Sequence, residues 1–164
     1  MGTYPVASLE ARVGERLTLR KATLAAVESC TGGLILHRLT NIPGSSAYVL
    51  GGFVTYSNEA KMQFAAVGLA TLEQYGAVSE QTAREMVRGV RSAFGATYAL
   101  SATGIVGPGG GTAAKPVGLV YIGIAGPDFE DVREYHWAGE RVENKEHTAD
   151  AALSLLLEYL ETHP

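Results

Sequence analysis

The sequence predicts an α/β protein: a three-layer α/β/α sandwich around a mixed, mostly parallel sheet of about five strands. Three observations lead there. Short, β-prone apolar runs alternate with segments whose apolar residues recur at helical spacing. The first three such runs are each separated by helix, the pattern that sets neighbouring strands parallel. The fourth and fifth have a hairpin-like turn, Gly126-Pro127-Asp128, between them and no helix, so the sheet is mixed.

Val6, Leu9, Val13 and Leu17 place an amphipathic helix over about residues 5–19. The apolar run 22–28 is the first strand. Gly33-Leu34-Ile35-Leu36-His37-Arg38-Leu39 is the helix after it. Asn41 to Ser46 is a loop by composition. Residues 51–56 read as the second strand, and Ser57 or Asn58 caps a helix beginning Glu59-Ala60-Lys61. A short helix over 69–76 ends at Gly76. Ser79 caps a longer one, with Ala83, Met86, Val87, Val90 and Phe94 on one face, ended by Gly95. Residues 97–102 are the third strand, 103–116 a glycine-rich loop, 117–125 the fourth strand and 132–137 the fifth. A last helix after Gly139-Glu140-Arg141 carries the stripe Leu153, Leu156, Leu157 and Leu160.

Composition narrows the function. One domain, 1–164, fits the length, and it buries roughly two-thirds of its unfolded surface. Thirteen basic against 17 acidic residues give a net charge of −4, which argues against general nucleic-acid binding. Cys30 is the single cysteine, so neither a disulfide within the chain nor a cysteine-based zinc site fits. The four histidines show no metal-ligand spacing, and no metal or cofactor is expected. No run is long enough to span a membrane, and residues 1–20 lack a signal-peptide core. The expected location is therefore the cytoplasm.

Three loops carry the chemistry, each after one of the first three strands. In a mostly parallel sheet all three lie at the carboxyl ends, where open α/β sheets bind ligands. Ser29 sits at a strand-to-helix turn rich in small residues. Free backbone N–H groups at the helix start would favour developing negative charge there. The same residues also suit a plain turn and cap. Tyr56 and Lys61 follow the second strand. A lysine in a first helical turn is disfavoured as ammonium and can serve as a base for serine. The glycine-rich loop is neither a Walker loop nor a clean dinucleotide fingerprint. It can form an anion-binding nest with Lys115 nearby. Cys30 is an alternative nucleophile, with no histidine close in sequence to support it.

Several separated stretches together resemble the CinA C-terminal domain family, the nicotinamide-nucleotide amidohydrolases. They are Ala26 to Gly33, Pro43-Gly44-Ser45-Ser46, Tyr56 to Lys61, Tyr75 to Ser79 and Ala102 to Gly110. The resemblance spans about residues 5–160. It implies hydrolysis of nicotinamide mononucleotide to nicotinate mononucleotide and ammonia, in pyridine nucleotide recycling, in a stand-alone form of the domain. It implies Ser29 as nucleophile with Lys61 and Tyr56 as partners. The two readings together nominate Glu28, Cys30, Thr31, Gly32, Gly33 and Ser46 around the oxyanion and substrate. Thr103, Gly104, Gly107, Gly109, Gly110, Lys115 and Arg141 are nominated for the phosphate. The family usually has a second arginine where this chain has Lys145. The expected partner is a small nucleotide substrate, and the expected assembly a homodimer. The competing reading is a non-catalytic nucleotide-binding or regulatory module, with Ser29 only a cap.

Overall fold

In the computed structural model, which describes residues 7–163, hydroxyl side chains start three of the helices. Ser8 accepts from the Ala11 amide and opens α1 (Leu9–Leu19). Ser57 accepts from Ala60 and opens α3 (Asn58–Ala65), so the cap is Ser57 and not Asn58. Ser79 accepts from Thr82 and opens α5 (Glu80–Phe94). Each such cap satisfies an amide that has no partner inside its helix. The first helix therefore begins at Leu9 rather than 5, and the Val6 position lies outside the described residues. The remaining helices are α2 (Leu34–Thr40), α4 (Leu69–Tyr75) and α6 (Arg141–Thr162). Glu140 and Glu143 form a capping box at the start of α6.

The strands are β1 (Leu24–Glu28), β2 (Val49–Val54), β3 (Tyr98–Gly104), β4 (Leu119–Gly126) and β5 (Phe129–His136), in the order β2-β1-β3-β4-β5. β1 runs parallel to both its neighbours. β3–β4 and β4–β5 are antiparallel. Four strands thus point one way and β4 alone is reversed. Strand boundaries shift from the sequence reading for local reasons. β2 starts at Val49, which pairs with Leu24, and ends before the turn into α3. β3 runs on to Gly104 because β4 pairs with it that far.

β1 is buried along its whole length and alternates between two cores. Leu24 and Ala26 pack with α1, α2 and α6, while Ala25 and Val27 pack with α3, α4 and α5. The stripe Leu153, Leu156, Leu157 and Leu160 is buried, at about 1.5–3 kcal/mol per leucine relative to exposure. On the other face Gly89 lets α5 touch α3. A Cβ there would lie 1.9 Å from the Ala65 carbonyl oxygen. That close approach helps hold α3, and with it Lys61, against the sheet. The carboxyl ends of β1, β2 and β3 meet at one edge, and the three loops named above leave from it.

Candidate active site

Ser29 follows β1 directly. Its amide donates to the Ala102 carbonyl of β3 at 2.9 Å, which ties the turn to the sheet. Strand alternation points its hydroxyl to the α3 side, where Lys61 Nζ lies 3.0 Å from Ser29 Oγ. Lys61 Nζ also donates to the Thr55 carbonyl at 2.7 Å and lies 3.5 Å from that of Tyr56. Lys61 is 1% exposed and has no carboxylate in ion-pair range among the described residues. Burial pushes its pKa below the usual lysine value, an effect the nearby Cys30 thiol partly offsets. A neutral amine has two N–H bonds and one lone pair. In that form the two carbonyls would take the N–H bonds, leaving the lone pair for the Ser29 hydroxyl.

The helix start is not the free anion site that the sequence suggested. Glu28 is fully buried and points to the opposite face of the sheet from Ser29. Its carboxylate accepts from Thr31 Oγ1 at 2.7 Å, the Ile35 amide at 2.9 Å and the Leu36 amide at 3.1 Å. Glu28 and the Thr31 side chain therefore belong to the α2 cap and are removed from the substrate-contacting set. The charge that α2 favours at its start comes from the protein itself. The Gly32 amide is also engaged, donating to the Ser29 carbonyl at 3.1 Å. Gly33 takes φ 102°, a conformation open to glycine, and lets the chain turn into α2. The Cys30 and Thr31 amides bond no main-chain carbonyl among the described residues. The Cys30 thiol is buried and pushed up to about 12, chiefly by desolvation, which makes it a poor nucleophile.

A cleft of about 270 Å³ opens beside Ser29 and Lys61. Its walls are Cys30, Tyr56, Ala77, Val78, Arg141 and the loop from Thr103 to Gly110. Gly104, Gly107, Gly109 and Gly110 line it as nominated. Arg141 crosses its mouth, donating to the Gly107 carbonyl at 2.6 Å and to Tyr56 Oη at 3.1 Å. The Tyr56 phenol is thus bonded to Arg141. Only its main-chain carbonyl faces Lys61, so its side chain is not in place to relay the serine proton.

Three further nominations play other parts. Thr103 is buried and donates to the Ala77 carbonyl at 2.8 Å, so its hydroxyl braces the cleft wall. Lys115 donates to the Tyr75 carbonyl and fastens the glycine-rich loop to α4, outside the cleft. Ser46 lies in the turn before β2, at the amino end of the strand. β1 and β2 are parallel, so that turn is at the opposite sheet edge from Ser29.

Two contributions were missed. Ala77 and Val78 line the cleft without any chemical signature to announce them. Asn144 is buried, donating to Val106 O at 3.1 Å and Gly139 O at 2.8 Å and accepting from the Gly139 amide at 3.0 Å. It ties the start of α6, and so Arg141, to the glycine-rich loop. No periodic signal marked it, because residue 144 falls about opposite the leucine stripe of α6 on a helical wheel. Among the described residues, no group of three or more His, Cys, Asp or Glu is placed to hold a metal, and no helix is long and apolar enough to cross a membrane. A wider groove of about 1000 Å³ lies at the opposite edge, along the end of α5, and has no lysine or histidine in its lining.

Comparison with known proteins places this arrangement in a family. The sequence model of the family described as the CinA C-terminal domain matches residues 6–160. A CinA-like protein of Desulforapulum autotrophicum is 51% identical over 150 residues, 91% of this chain and 36% of that protein. One from Chloroherpeton thalassium is 52% identical over 157 residues, 93% and 37% of the two chains. The chain thus spans little more than a third of the length of these curated relatives. Among solved structures, the competence/damage inducible protein CihA from Agrobacterium tumefaciens superposes with a TM-score of 0.90 at 40% identity, covering 98% of this chain and 99% of that one. The competence damage-inducible protein A from Klebsiella pneumoniae gives 0.92 at 31% identity, covering 95% and 97%.

Proposed function

Since this chain belongs to the CinA C-terminal domain family, we propose that it is an amidohydrolase that deamidates nicotinamide mononucleotide through Ser29 and Lys61. The observation that supports this most directly is the buried lysine 3.0 Å from the serine hydroxyl with no carboxylate to balance it. A module that only binds nucleotides has no need of a desolvated amine held against a serine.

Ser29 Oγ bonds to the carboxamide carbon, and the carbonyl π pair moves onto its oxygen. The serine proton passes to Lys61. The carbon–nitrogen bond then breaks, the oxygen pair returns, and Lys61 gives its proton to the departing nitrogen, so ammonia leaves. Water attacks the ester, giving up a proton to Lys61. Nicotinate mononucleotide is released as Ser29 recovers its proton. The nucleotide moiety has room along the cleft between Arg141 and the loop 104–110.

The test is ammonia release from nicotinamide mononucleotide by the wild type, Ser29→Ala and Lys61→Ala in metal-free buffer. Turnover by the wild type, with a loss of at least about 10³-fold in each variant, is expected. Wild-type binding without ammonia, or a fully active Ser29→Ala, would refute the reading in favour of a binding module.

A further inference from the structure

Ser29 to Gly32 form one tight turn, closed by the Gly32 amide on the Ser29 carbonyl. Its two flanks differ. Lys61 stands on the α3 side, buried and bonded to carbonyls. On the α6 side stands Lys145, one helical turn beyond Arg141. A Cβ built on Gly32 would lie 3.8 Å from Lys145 Nζ. Both lysines lie close enough to stabilise a charge on Cys30. Lys145 is half-buried and has no hydrogen bond or ion pair among the described residues. Glu143, a nearby acid on α6, is engaged in the capping box.

Several of the donors at this turn are already engaged. The Ile35 and Leu36 amides are bonded to Glu28, and the Gly32 amide to Ser29. The Cys30 and Thr31 amides remain at its apex. A fully buried carboxylate underneath makes the apex less hospitable to a second negative charge. A cation on the α6 flank offsets it, and Lys145, beside Gly32, is the cation on that flank.

We propose that the apex of this turn is an anion site, made by the Cys30 and Thr31 amides and closed by the Lys145 ammonium, which holds the substrate carbonyl oxygen as Ser29 attacks. This rests on the amidohydrolase reading. It makes Lys145 a residue for the transition state rather than an anchor for the nucleotide phosphate.

The experiment compares the wild type, Lys145→Met and Lys145→Arg on nicotinamide mononucleotide and on the riboside, which has no phosphate. Far-ultraviolet circular dichroism checks that each is folded. Lys145→Met is expected to lose about 10- to 100-fold in kcat on both substrates, with KM within about threefold, and Lys145→Arg to recover most of it. A raised KM with kcat unchanged, and no defect on the riboside, would make Lys145 a phosphate anchor and overturn the proposal. Equal activity of Lys145→Met and wild type would overturn it too. Phosphonylation of Ser29 by a fluorophosphonate keeps the two readings apart, because it develops a negative oxygen at the same serine whatever the natural substrate. If the wild type released no ammonia, slower phosphonylation of Lys145→Met would still support the anion site, and an unchanged rate would remove it.

Discussion

Glu28 and Ser29 are consecutive in the chain and act on opposite faces of the sheet. The Glu28 carboxylate accepts the Ile35 and Leu36 amides of α2, and the Ser29 hydroxyl meets Lys61 of α3. One strand end thus fastens one helix with a carboxylate and presents a hydroxyl to the other. The arrangement separates holding the turn from doing its chemistry, and mutation can separate the two.

Glu28→Gln is expected to destabilise the fold by about 2 kcal/mol. It replaces a charged acceptor of three hydrogen bonds by an amide that places a donor against donors. Urea unfolding measures this. An unchanged midpoint would show that the α2 cap does not need the charge.

Lys61→Met is expected to remove activity while leaving stability within about 1 kcal/mol of the wild type, since a buried amine is replaced by an apolar side chain of similar length. The two readouts are ammonia release and the thermal midpoint. A collapse of the fold would mean that the amine's bonds to Thr55 and Ser29 hold the site together.

The lowered pKa of Lys61 has a sign in both activity and stability. Only the neutral amine accepts the serine proton, so kcat/KM should rise with pH through the folded-state value and level off above it. In the window between that depressed value and the ordinary lysine value of 10.5, the unfolded chain binds the proton that the folded chain has lost. Lys61 therefore makes stability increase with pH there, and its contribution is least favourable below the folded value. The Lys61→Met protein should lack that slope. The same slope in both proteins would assign it to other groups.

Gly89→Ala is expected to cost about 1–3 kcal/mol and to lower activity, although residue 89 is outside the cleft. The added Cβ would meet the Ala65 carbonyl at 1.9 Å and push α3, with Lys61, away from Ser29. A variant of normal stability and activity would show that α3 and α5 can part without disturbing the pair.

Cys30 should be silent toward an aromatic disulfide reagent at pH 8 in the folded protein and react at once in denaturant. Its thiol is pushed up to about 12, and it is buried. Rapid labelling of the native protein would mean that the turn opens on its own.

Local sequence carried much of this protein. Serines ahead of polar starts marked α3 and α5, glycines marked the ends of α4 and α5, and the leucine stripe marked α6, because caps and periodicity act within a few residues. The placing of Ser29, Tyr56, Lys61 and the glycine-rich loop at one edge also followed from order alone, since parallel strands separated by helices put their carboxyl ends together. What Glu28, Thr31, Thr103 and Lys115 do was not legible. Each is a polar residue in a functional-looking stretch; Glu28, Thr103 and Lys115 bond main-chain groups, and Thr31 bonds the Glu28 carboxylate, partners that only the folded chain brings within 3 Å or so. Ser46 fell at the wrong edge because a residue before a parallel strand is a full strand length from the one after it, roughly 17 Å over five residues. Asn144 and Lys145, at the far end of the chain from Ser29, reach the site only because α6 packs across the sheet. Sequence alone determined which elements form and which edge bears the chemistry, because those depend on neighbours along the chain. The tertiary structure decided which polar groups face the substrate and which hold the scaffold, because a hydrogen bond is decided by proximity in space and both kinds of residue look the same in sequence.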